Sequence, residues 1–288
     1  MRNLLNDSPL LDRWVGDPLR RLEATLGLSV MGESVAPNPV SCHGFALHYG
    51  PGEKRFVTTM VFYDDYEPQT REAVESLLAP GMTFIDLGAH IGYYTLIAAR
   101  TVGTQGRVFA FEPNPRPRTS LEKNVAENGF TARVRVVPCA IWDSQRRLHF
   151  CADPTYSDAG HLVAGGDAIA DSFEVDAVSL DSFLEREDWP AVHLVKMDVE
   201  GAEFAAIKGM RSTIERNPGL RIIFEFNRDT LPESASRPED LFRLLQASGF
   251  KRFRILYRHA DTIVLPGDMK SLIDLARRAN VNILASQD

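Results

Sequence analysis

Cysteine is scarce in this sequence of 288 residues, which contains three: Cys42, Cys139 and Cys151. An odd, unevenly spaced set fits neither a disulfide framework nor a zinc site. Long apolar runs are also missing. No run reaches the roughly 18 residues of a membrane-spanning helix, and the N-terminus lacks the apolar core of a signal peptide. We therefore expect a soluble, cytoplasmic protein that does not act at a membrane.

Positive charge is in the minority. The chain has 32 Lys and Arg against 39 Asp and Glu, which gives a formal net charge of −7. A general nucleic-acid binder is usually basic, so we do not expect nucleic acid as a partner. The remaining composition, with 44% hydrophobic and 25% charged residues, is that of an ordinary globular protein and excludes a fibrous or disordered chain.

The first forty residues differ from the rest of the chain. Leucines recur there at roughly helical spacing, interrupted by Pro9 and Pro18, and a linker-like VAPNPV follows at 35–40. This pattern predicts a helical N-terminal extension over residues 1–40. Such an extension could cover an active site, pack on a second copy of the chain in a homo-oligomer, or simply cap the domain.

From about residue 68, predicted strands alternate with predicted helices. The strands are MTFIDL (82–87), RVFAFE (107–112), RVRVVP (133–138), HLVKMD (193–198) and LRIIFEF (220–226). Almost continuously apolar strands separated by helices are typical of a parallel sheet covered on both faces. KRFRILY and DTIVL then predict a hairpin, which places an antiparallel strand at or near the sheet edge. We expect one α/β domain over 41–266.

Three segments depart from this alternation. Residues 42–63 predict a β hairpin or a small β element around the turn PGEK. Residues 140–180 contain two short strand candidates and a Gly/Ser/Asp-rich loop, which indicates an insertion beside the sheet. Residues 267–288 are expected to form a helical C-terminal tail.

The most informative segment is FIDLGAHIGYYT, where Asp86 ends an apolar strand and Gly88 and Gly92 follow as D-x-G-x-x-x-G. Ligands of open α/β sheets bind at the carboxyl ends of strands, and glycines there let the backbone approach them. The dinucleotide pattern G-x-G-x-x-G is absent. A carboxylate at this position would repel a phosphate but accept hydrogen bonds from an ammonium group, so we expect a ligand with an amino-acid end.

Glu112 ends the second strand, in VFAFEPNP. An acid at this position hydrogen-bonds both hydroxyls of a ribose. An amino-acid end at Asp86 and a ribose at Glu112 together describe S-adenosylmethionine.

The segments FIDLGAHIGYY, VFAFEPNP, VVPCAIWD, VSLDSFL and LVKMDVEGAEFAAIKGM resemble the FkbM family of S-adenosylmethionine-dependent methyltransferases. The resemblance covers roughly 64–226, and KMDVEGAE is its most specific part. It implies a class I methyltransferase (Rossmann-like) fold, with a mostly parallel seven-stranded sheet and helices on both faces. Members of the family mainly methylate hydroxyl groups of polyketides and sugars. One departure is His90, where the family usually has Asn.

The resemblance also implies which residues hold the cofactor. They are Asp86, Gly88, Ala89, His90 and Gly92 in the first turn, and Glu112, Pro113 and Asn114 after the second strand. Asn114 could equally form a simple Asx turn. Tyr66, Glu67 and Thr70 belong to a segment that folds over the cofactor in the family, with helix capping as their alternative role. Cys139 and Ala140 end the third strand, where the adenine edge is expected, although Cys139 could equally be ordinary core.

The fourth strand ends in Lys196, Asp198 and Glu200, where the fold places the methyl group. Lys196 and Asp198 share one side of the strand, and a lysine in an apolar strand needs such a partner. Asp198 or Glu200 is the predicted base that takes the proton of the acceptor, with Lys196 tuning it. Glu203 is explained by its place at the start of a helix.

The fifth strand ends in Glu225 and Asn227, which point the same way. Together with Asp198 they could hold Mg²⁺, or Glu225 could hydrogen-bond the substrate. We expect no metal.

The sequence therefore predicts an S-adenosylmethionine-dependent methyltransferase that acts on a hydroxyl of a small-molecule natural product or sugar. An N- or C-methyltransferase is the nearer alternative. A nucleic-acid methyltransferase and a non-catalytic S-adenosylmethionine-binding protein are the more distant ones.

Overall fold

The computed structural model describes residues 38–54, 56–57, 60, 66–152, 160–163, 172–199, 201–226, 238–257, 260–264 and 281–288. Most of the predicted N-terminal extension, residues 1–37, lies outside the described residues. So does the first part of the predicted C-terminal tail, residues 267–280.

The strands, numbered along the chain, are β1 (Val40–Cys42), β2 (Phe45–Leu47), β3 (Thr83–Leu87), β4 (Arg107–Phe111), β5 (Val134–Val137), β6 (Ala140–Ile141), β7 (Arg146–Cys151), β8 (His161–Val163), β9 (Ser172–Val178), β10 (Leu194–Met197), β11 (Arg221–Phe226), β12 (Arg252–Tyr257), β13 (Ala260–Val264) and β14 (Val281–Ser286). The α-helices are α1 (Pro68–Leu77), α2 (Tyr93–Thr101), α3 (Pro115–Glu127), α4 (Leu180–Arg186), α5 (Glu203–Lys208), α6 (Arg211–Arg216) and α7 (Pro238–Ala247).

Eight strands form the main sheet, in the order β13-β12-β14-β11-β10-β3-β4-β5. The five strands from β11 to β5 are mutually parallel, and β14 runs antiparallel between β11 and β12. Leaving aside the edge strand β13, this is the mostly parallel seven-stranded sheet expected of the class I methyltransferase fold. The predicted hairpin is confirmed as β12 and β13, which pair antiparallel at the edge.

The strand order reverses between β3 and β10, which lie side by side in the centre of the sheet. All five residues of β3 and all four of β10 are buried, because the sheet is covered on both faces. On one part of the sheet, Phe242 of α7 packs its ring against Phe224, Phe226 and Phe253, with ring centroids 5.1 to 5.9 Å apart. The reversal makes the carboxyl ends of β3 and β10 the expected ligand site.

A second, four-stranded sheet lies within the predicted insertion, in the order β6-β9-β7-β8. Its apolar side packs into a small core of its own, with Trp142, Leu148, Phe150, Val175 and Ala205. The expectation of strands beside the main sheet over 140–180 agrees with this arrangement.

The hairpin predicted over 42–63 is wrong in its position. The hairpin is β1 with β2, and its turn holds His43 and Gly44, both at positive φ. The expected turn PGEK instead opens a 3₁₀ helix, Pro51–Glu53, whose start is held by Glu53 Oε2 accepting a hydrogen bond from the backbone N–H of Gly50 at 2.5 Å. The backbone N–H and C=O groups of β2 do not need a second long strand beside them, because an asparagine side chain at the end of α3 forms hydrogen bonds with them.

Two asparagines of α3 bind this region. The amide of Asn128 accepts from the backbone N–H of Ala46 at 3.0 Å and donates to its carbonyl at 2.8 Å. Asn124 accepts from His48 N–H at 2.6 Å and donates to the carbonyls of His48 and Ile91. Each side-chain amide thus replaces a neighbouring strand.

The predicted helical tail over 267–288 is also wrong where the structure describes it, because residues 281–286 form strand β14. Five of its six residues are buried between β11 and β12. A short apolar run such as VNILA carries no periodicity that separates a buried strand from a helix.

Candidate active site

The turn between β3 and α2 depends on two glycines. Gly88 has φ +80°, and a Cβ there would lie 1.8 Å from the backbone carbonyl oxygen of Asp198. Gly92 caps α2 with φ +95°, and a Cβ there would lie 2.6 Å from Leu121 Cδ1. A side chain at Gly88 would separate the turn from the end of β10, and one at Gly92 would press on α3. The two glycines therefore let the turn pack closely against both elements.

His90 stands in the same turn with φ +51°. Asn, Asp and His enter this left-handed region more readily than other non-glycine residues, which explains why His can stand where the family usually has Asn. The backbone N–H of His90 donates to Glu112 Oε2 at 2.8 Å. The turn of β3 therefore positions the carboxylate that ends β4.

Glu112 is 6% exposed and accepts a second backbone hydrogen bond, from Asn114 N–H to Oε1 at 2.8 Å. Burial raises its pKa to about 7, although both backbone N–H groups act in the opposite direction. Asn114 in turn caps α3 by accepting from Arg116 N–H at 3.1 Å. These two backbone N–H groups fix the orientation of the Glu112 carboxylate, and its remaining lone pairs can accept hydrogen bonds from other donors.

Lys196 of β10 is 2% exposed and lies directly beside Asp86 of β3 in the sheet register. Its Nζ is 3.0 Å from Asp198 Oδ2 and 4.6 Å from the ring centroid of Tyr94. Burial alone would lower the pKa of the ammonium, but the charges of Asp198, Glu67 and Asp86 outweigh it and raise the pKa above its usual range. Lys196 is therefore a permanently charged centre among carboxylates.

Two of those carboxylates are held by hydroxyl donors. Asp86 accepts from Thr95 Oγ1 at 2.6 Å, and Glu67 accepts from the hydroxyl of Tyr94 at 2.6 Å. Burial raises the pKa of both acids, and Lys196 opposes that shift in each. Asn282 of β14 forms a further side-chain hydrogen bond with Glu67.

These groups surround a cavity of about 310 Å³ and a smaller one of about 30 Å³. Of the predicted site residues, those that line the larger cavity are Tyr66, Glu67, Gly88, His90, Glu112, Pro113, Cys139, Ala140, Asp198 and Glu225. Those that line the smaller one include Asp86, Ala89 and Lys196. Burial raises the pKa of Cys139.

Three predicted cofactor residues line neither cavity. Gly92 lies at the start of α2 and Asn114 at the start of α3, so both residues shape the turns that lead into these helices. Thr70 lies in α1, 1% exposed, with no hydrogen-bond partner for its hydroxyl among the described residues. Its predicted contact with the cofactor therefore stays a prediction.

The predicted catalytic residue Glu200 and the alternative metal ligand Asn227 lie outside the described residues. Within the part of the chain that the structure describes, no three His, Cys, Asp or Glu side chains converge as metal ligands. Glu203 accepts from Val199 N–H at 3.3 Å at the start of α5, as expected of a helix-start residue.

Sequence reasoning missed several residues at the site. Phe56 stacks edge-on against His90 and Tyr66, with centroids 5.2 and 4.6 Å apart, and lines both cavities. Phe150 and Leu162 of the second sheet line the larger one. The only sequence signal for them was their apolar character, which ordinary core residues share.

Several known methyltransferases are similar to this chain. A hexuronic acid methyltransferase of Haloferax volcanii, AglP, is 30% identical over 132 residues, which cover 45% of this chain and half of that protein. A 31-O-demethyl-FK506 methyltransferase of Streptomyces tacrolimicus, FkbM, is 28% identical over 191 residues, which cover 57% of this chain and 71% of that protein. The crystal structure of an O-methyltransferase from Bacillus cereus in complex with SAH covers 90% of this chain and 96% of that chain, with a TM-score of 0.47 at 12% identity.

The strand order, the glycine turn and the acidic strand ends are those of a class I methyltransferase fold. The family model of the methyltransferase FkbM domain matches residues 86–252, more than half of the chain. The chain belongs to the FkbM methyltransferase family. No helix among the described residues has the length and apolarity to cross a membrane.

Proposed function

We propose that the chain is an S-adenosylmethionine-dependent methyltransferase that acts on a hydroxyl group of a small-molecule natural product or sugar. Membership of the FkbM family supports methyl transfer. The names of its relatives point to a hexuronic acid in one case and to 31-O-demethyl-FK506 in another, which supports a hydroxylated small molecule here. Its net charge of −7 argues against a nucleic-acid acceptor.

The residues present fit this cofactor. The observation that carries the proposal is Glu112, a buried carboxylate fixed by His90 and Asn114 at the edge of the cavity, where it can accept from two ribose hydroxyls. Cys139 and Ala140 provide a small, weakly polar wall for the adenine. Asp86, Glu67 and Asp198 provide acceptors and negative charge for an ammonium and a sulfonium group.

When bound, the cofactor supplies a methyl group on a positively charged sulfur. Asp198, at the end of β10, is the proposed proton acceptor for the attacking hydroxyl. Its Oδ2 is bound to Lys196, so the side chain is held in one orientation while it remains partly exposed to the cavity. Phe56 contacts the rings of Tyr66 and of His90 in the glycine turn edge-on, and all three side chains line the larger cavity. The protein thus contributes orientation and a proton acceptor, which are the requirements of an in-line displacement.

A turnover screen tests the proposal. The full-length protein is incubated with S-adenosylmethionine and a panel of macrolide alcohols, neutral sugars, uronic acids and matched amines, and products are identified by mass spectrometry. We expect a methyl ether from one of the hydroxylated compounds. Products methylated only on nitrogen or carbon would overturn O-methylation. Calorimetry that shows binding of NAD but none of S-adenosylhomocysteine would overturn the cofactor assignment itself.

A further inference from the structure

Glu67 lies immediately before α1 and lines the larger cavity together with Asp198 and Glu225. The hydroxyl of Tyr94 donates to its Oε2 at 2.6 Å, and the Asn282 side chain hydrogen-bonds the same carboxylate. Both partners are neutral. They therefore fix the position of Glu67 without cancelling its charge, in contrast to the Lys196–Asp198 contact.

Charge around the cavities is unbalanced. Lys196 is the only Lys or Arg among the described residues that line either cavity. Its ammonium interacts with three carboxylates, those of Asp198, Glu67 and Asp86, and one positive charge cannot neutralise three. Asp198 takes the direct contact at 3.0 Å, which leaves Glu67 and Asp86 without a cation in direct contact among the described residues. Of these two, Glu67 lines the larger cavity.

Asn282 provides a second, independent observation. It is 5% exposed and stands opposite Glu225 in the register of β14 and β11, so both side chains are on the same face of the sheet. Its carbonyl oxygen has no hydrogen-bond donor among the described residues. Buried acceptors are nearly always satisfied, so a donor from a ligand, a water or another part of the chain is expected next to this oxygen, beside Glu225.

We propose that Glu67, positioned by Tyr94 and Asn282, recognises the positive charge of the cofactor, so that the site binds S-adenosylmethionine more tightly than S-adenosylhomocysteine. This inference rests on the proposed function. In the transfer, the acceptor oxygen gains the methyl group, its proton passes to Asp198, and the sulfur keeps the electron pair of the broken bond and becomes a neutral thioether. The attraction to Glu67 is then lost, which favours release of the product.

The backbone of Glu67 has an unfavourable conformation that its neighbours must impose. Its φ of 45° and ψ of 53° are left-handed, and Pro68 follows it. Such a conformation is unfavourable for a non-glycine residue before proline, and it persists only where surrounding contacts impose it. Tyr94 and Asn282 are contacts of that kind.

The test is calorimetry on the full-length protein with three ligands: S-adenosylmethionine, S-adenosylhomocysteine and sinefungin, which carries an amine at the position of the methyl-sulfonium. For the wild type, we expect S-adenosylmethionine and sinefungin to bind about tenfold more tightly than S-adenosylhomocysteine, as expected for one added charge near a partly desolvated carboxylate. Glu67→Gln keeps the shape of the side chain and one acceptor oxygen for the Tyr94 hydroxyl, and it removes the charge. It should reduce the difference to about threefold or less.

Two further variants control the interpretation. Glu112→Gln should weaken all three ligands by a similar factor and leave their ratio unchanged, because the ribose is common to them. Tyr94→Phe removes only the hydroxyl that holds Glu67, and it should lower the ratio with the carboxylate still present.

The outcomes are separable. If none of the three ligands binds the wild type, the proposed function fails. If they bind with equal affinity, or if Glu67→Gln retains the wild-type ratio, the proposed function stands and the role of Glu67 is wrong. The sinefungin comparison needs no variant, so the inference remains testable even if Glu67→Gln does not fold.

Discussion

Lys196 Nζ lies 3.0 Å from Asp198 Oδ2, and this ion pair joins the buried centre of the sheet to the wall of the cavity. The side chain of Lys196 is 2% exposed and that of Asp198 is 22% exposed. The pair is therefore desolvated at one end and open to the ligand site at the other. Lys196 also balances part of the negative charge of Asp86 and Glu67. The charge balance of all three carboxylates therefore depends on this residue.

Lys196→Met should destabilise the protein strongly. This change removes the cation that pairs with Asp198 and attracts Asp86 and Glu67. Loss of one partner of a buried ion pair costs about 3–5 kcal/mol in comparable cases, because uncompensated charge remains buried. Denaturant unfolding measures the change. The matched control is Lys208→Met: Lys208 is exposed on α5 and contacts only the face of Phe204 in the described structure. We expect less than about 1 kcal/mol there. Equal losses in both variants would contradict the central role of Lys196.

Glu203→Gln should stabilise the protein in a pH-dependent manner. Burial raises the pKa of Glu203 from 4.5 to about 7. Between these values the native state binds more protons than the unfolded state, so the stability of the wild type falls as pH rises from about 4.5 to about 7. At pH 8 the full cost of the buried charge, up to about 3 kcal/mol, is present and Gln removes it. At pH 4.5 both side chains are neutral.

Urea unfolding at pH 4.5 and pH 8 checks this expectation. The difference between variant and wild type isolates Glu203 from Glu112, whose pKa is also about 7 and which contributes the same slope to both proteins. A gain that is equal at the two pH values would show that Glu203 titrates normally.

The strands of the parallel sheet could be predicted in large part from the sequence. The five parallel strands are apolar runs with helices between them, a pattern that only burial on both faces produces. The C-terminal strand β14 could not be predicted, because VNILA is too short to show a period and its place between β11 and β12 depends on contacts distant in sequence. The hairpin was misplaced for a similar reason, since Asn124 and Asn128 of α3 replace its second partner.

The site could be predicted where the chemistry coincides with a strand end. Asp86, Glu112 and Asp198 follow apolar runs, and the pairing of Lys196 with Asp198 follows from strand alternation. Asn282 could not be predicted, because it lies in an apolar segment that looks like ordinary core. Tyr94 lies in the glycine motif, but nothing in the sequence distinguishes it there from Tyr93. The hydrogen bonds of Tyr94 and Asn282 to Glu67 exist only once α2 and β14 are packed beside the cavity.

Binding of 5′-methylthioadenosine should depend on the ionisation of Glu112. This probe carries the adenine and ribose but no amino-acid end, and it does not itself titrate near neutral pH. With a pKa of about 7, Glu112 is mostly ionised at pH 8 and mostly protonated at pH 6. The ionised form accepts from both ribose hydroxyls. We therefore expect affinity to weaken by up to about tenfold from pH 8 to pH 6.

Glu112→Gln should abolish that pH dependence, and Glu112→Ala should weaken binding at pH 8 by about 1–3 kcal/mol, the cost of losing hydrogen bonds to a charged group. Calorimetry at the two pH values measures both. If the wild type binds equally at pH 6 and pH 8, Glu112 is not the ribose ligand in its ionised form.

Asp198→Asn should separate acid–base catalysis from metal catalysis. Asn preserves the size of the side chain and can still contact Lys196, but it cannot take a proton. If Asp198 is the base, turnover should fall by roughly 10²–10⁴ while the affinity for S-adenosylhomocysteine changes little. Wild-type activity should then survive exhaustive chelation. If Asp198, Glu225 and Asn227 instead hold Mg²⁺, chelation should abolish turnover, added Mg²⁺ should restore it, and Glu225→Gln should be as inactive as Asp198→Asn. The ion pair with Lys196 favours the first outcome, because a carboxylate oxygen in contact with an ammonium group at 3.0 Å is a poor ligand for a second cation.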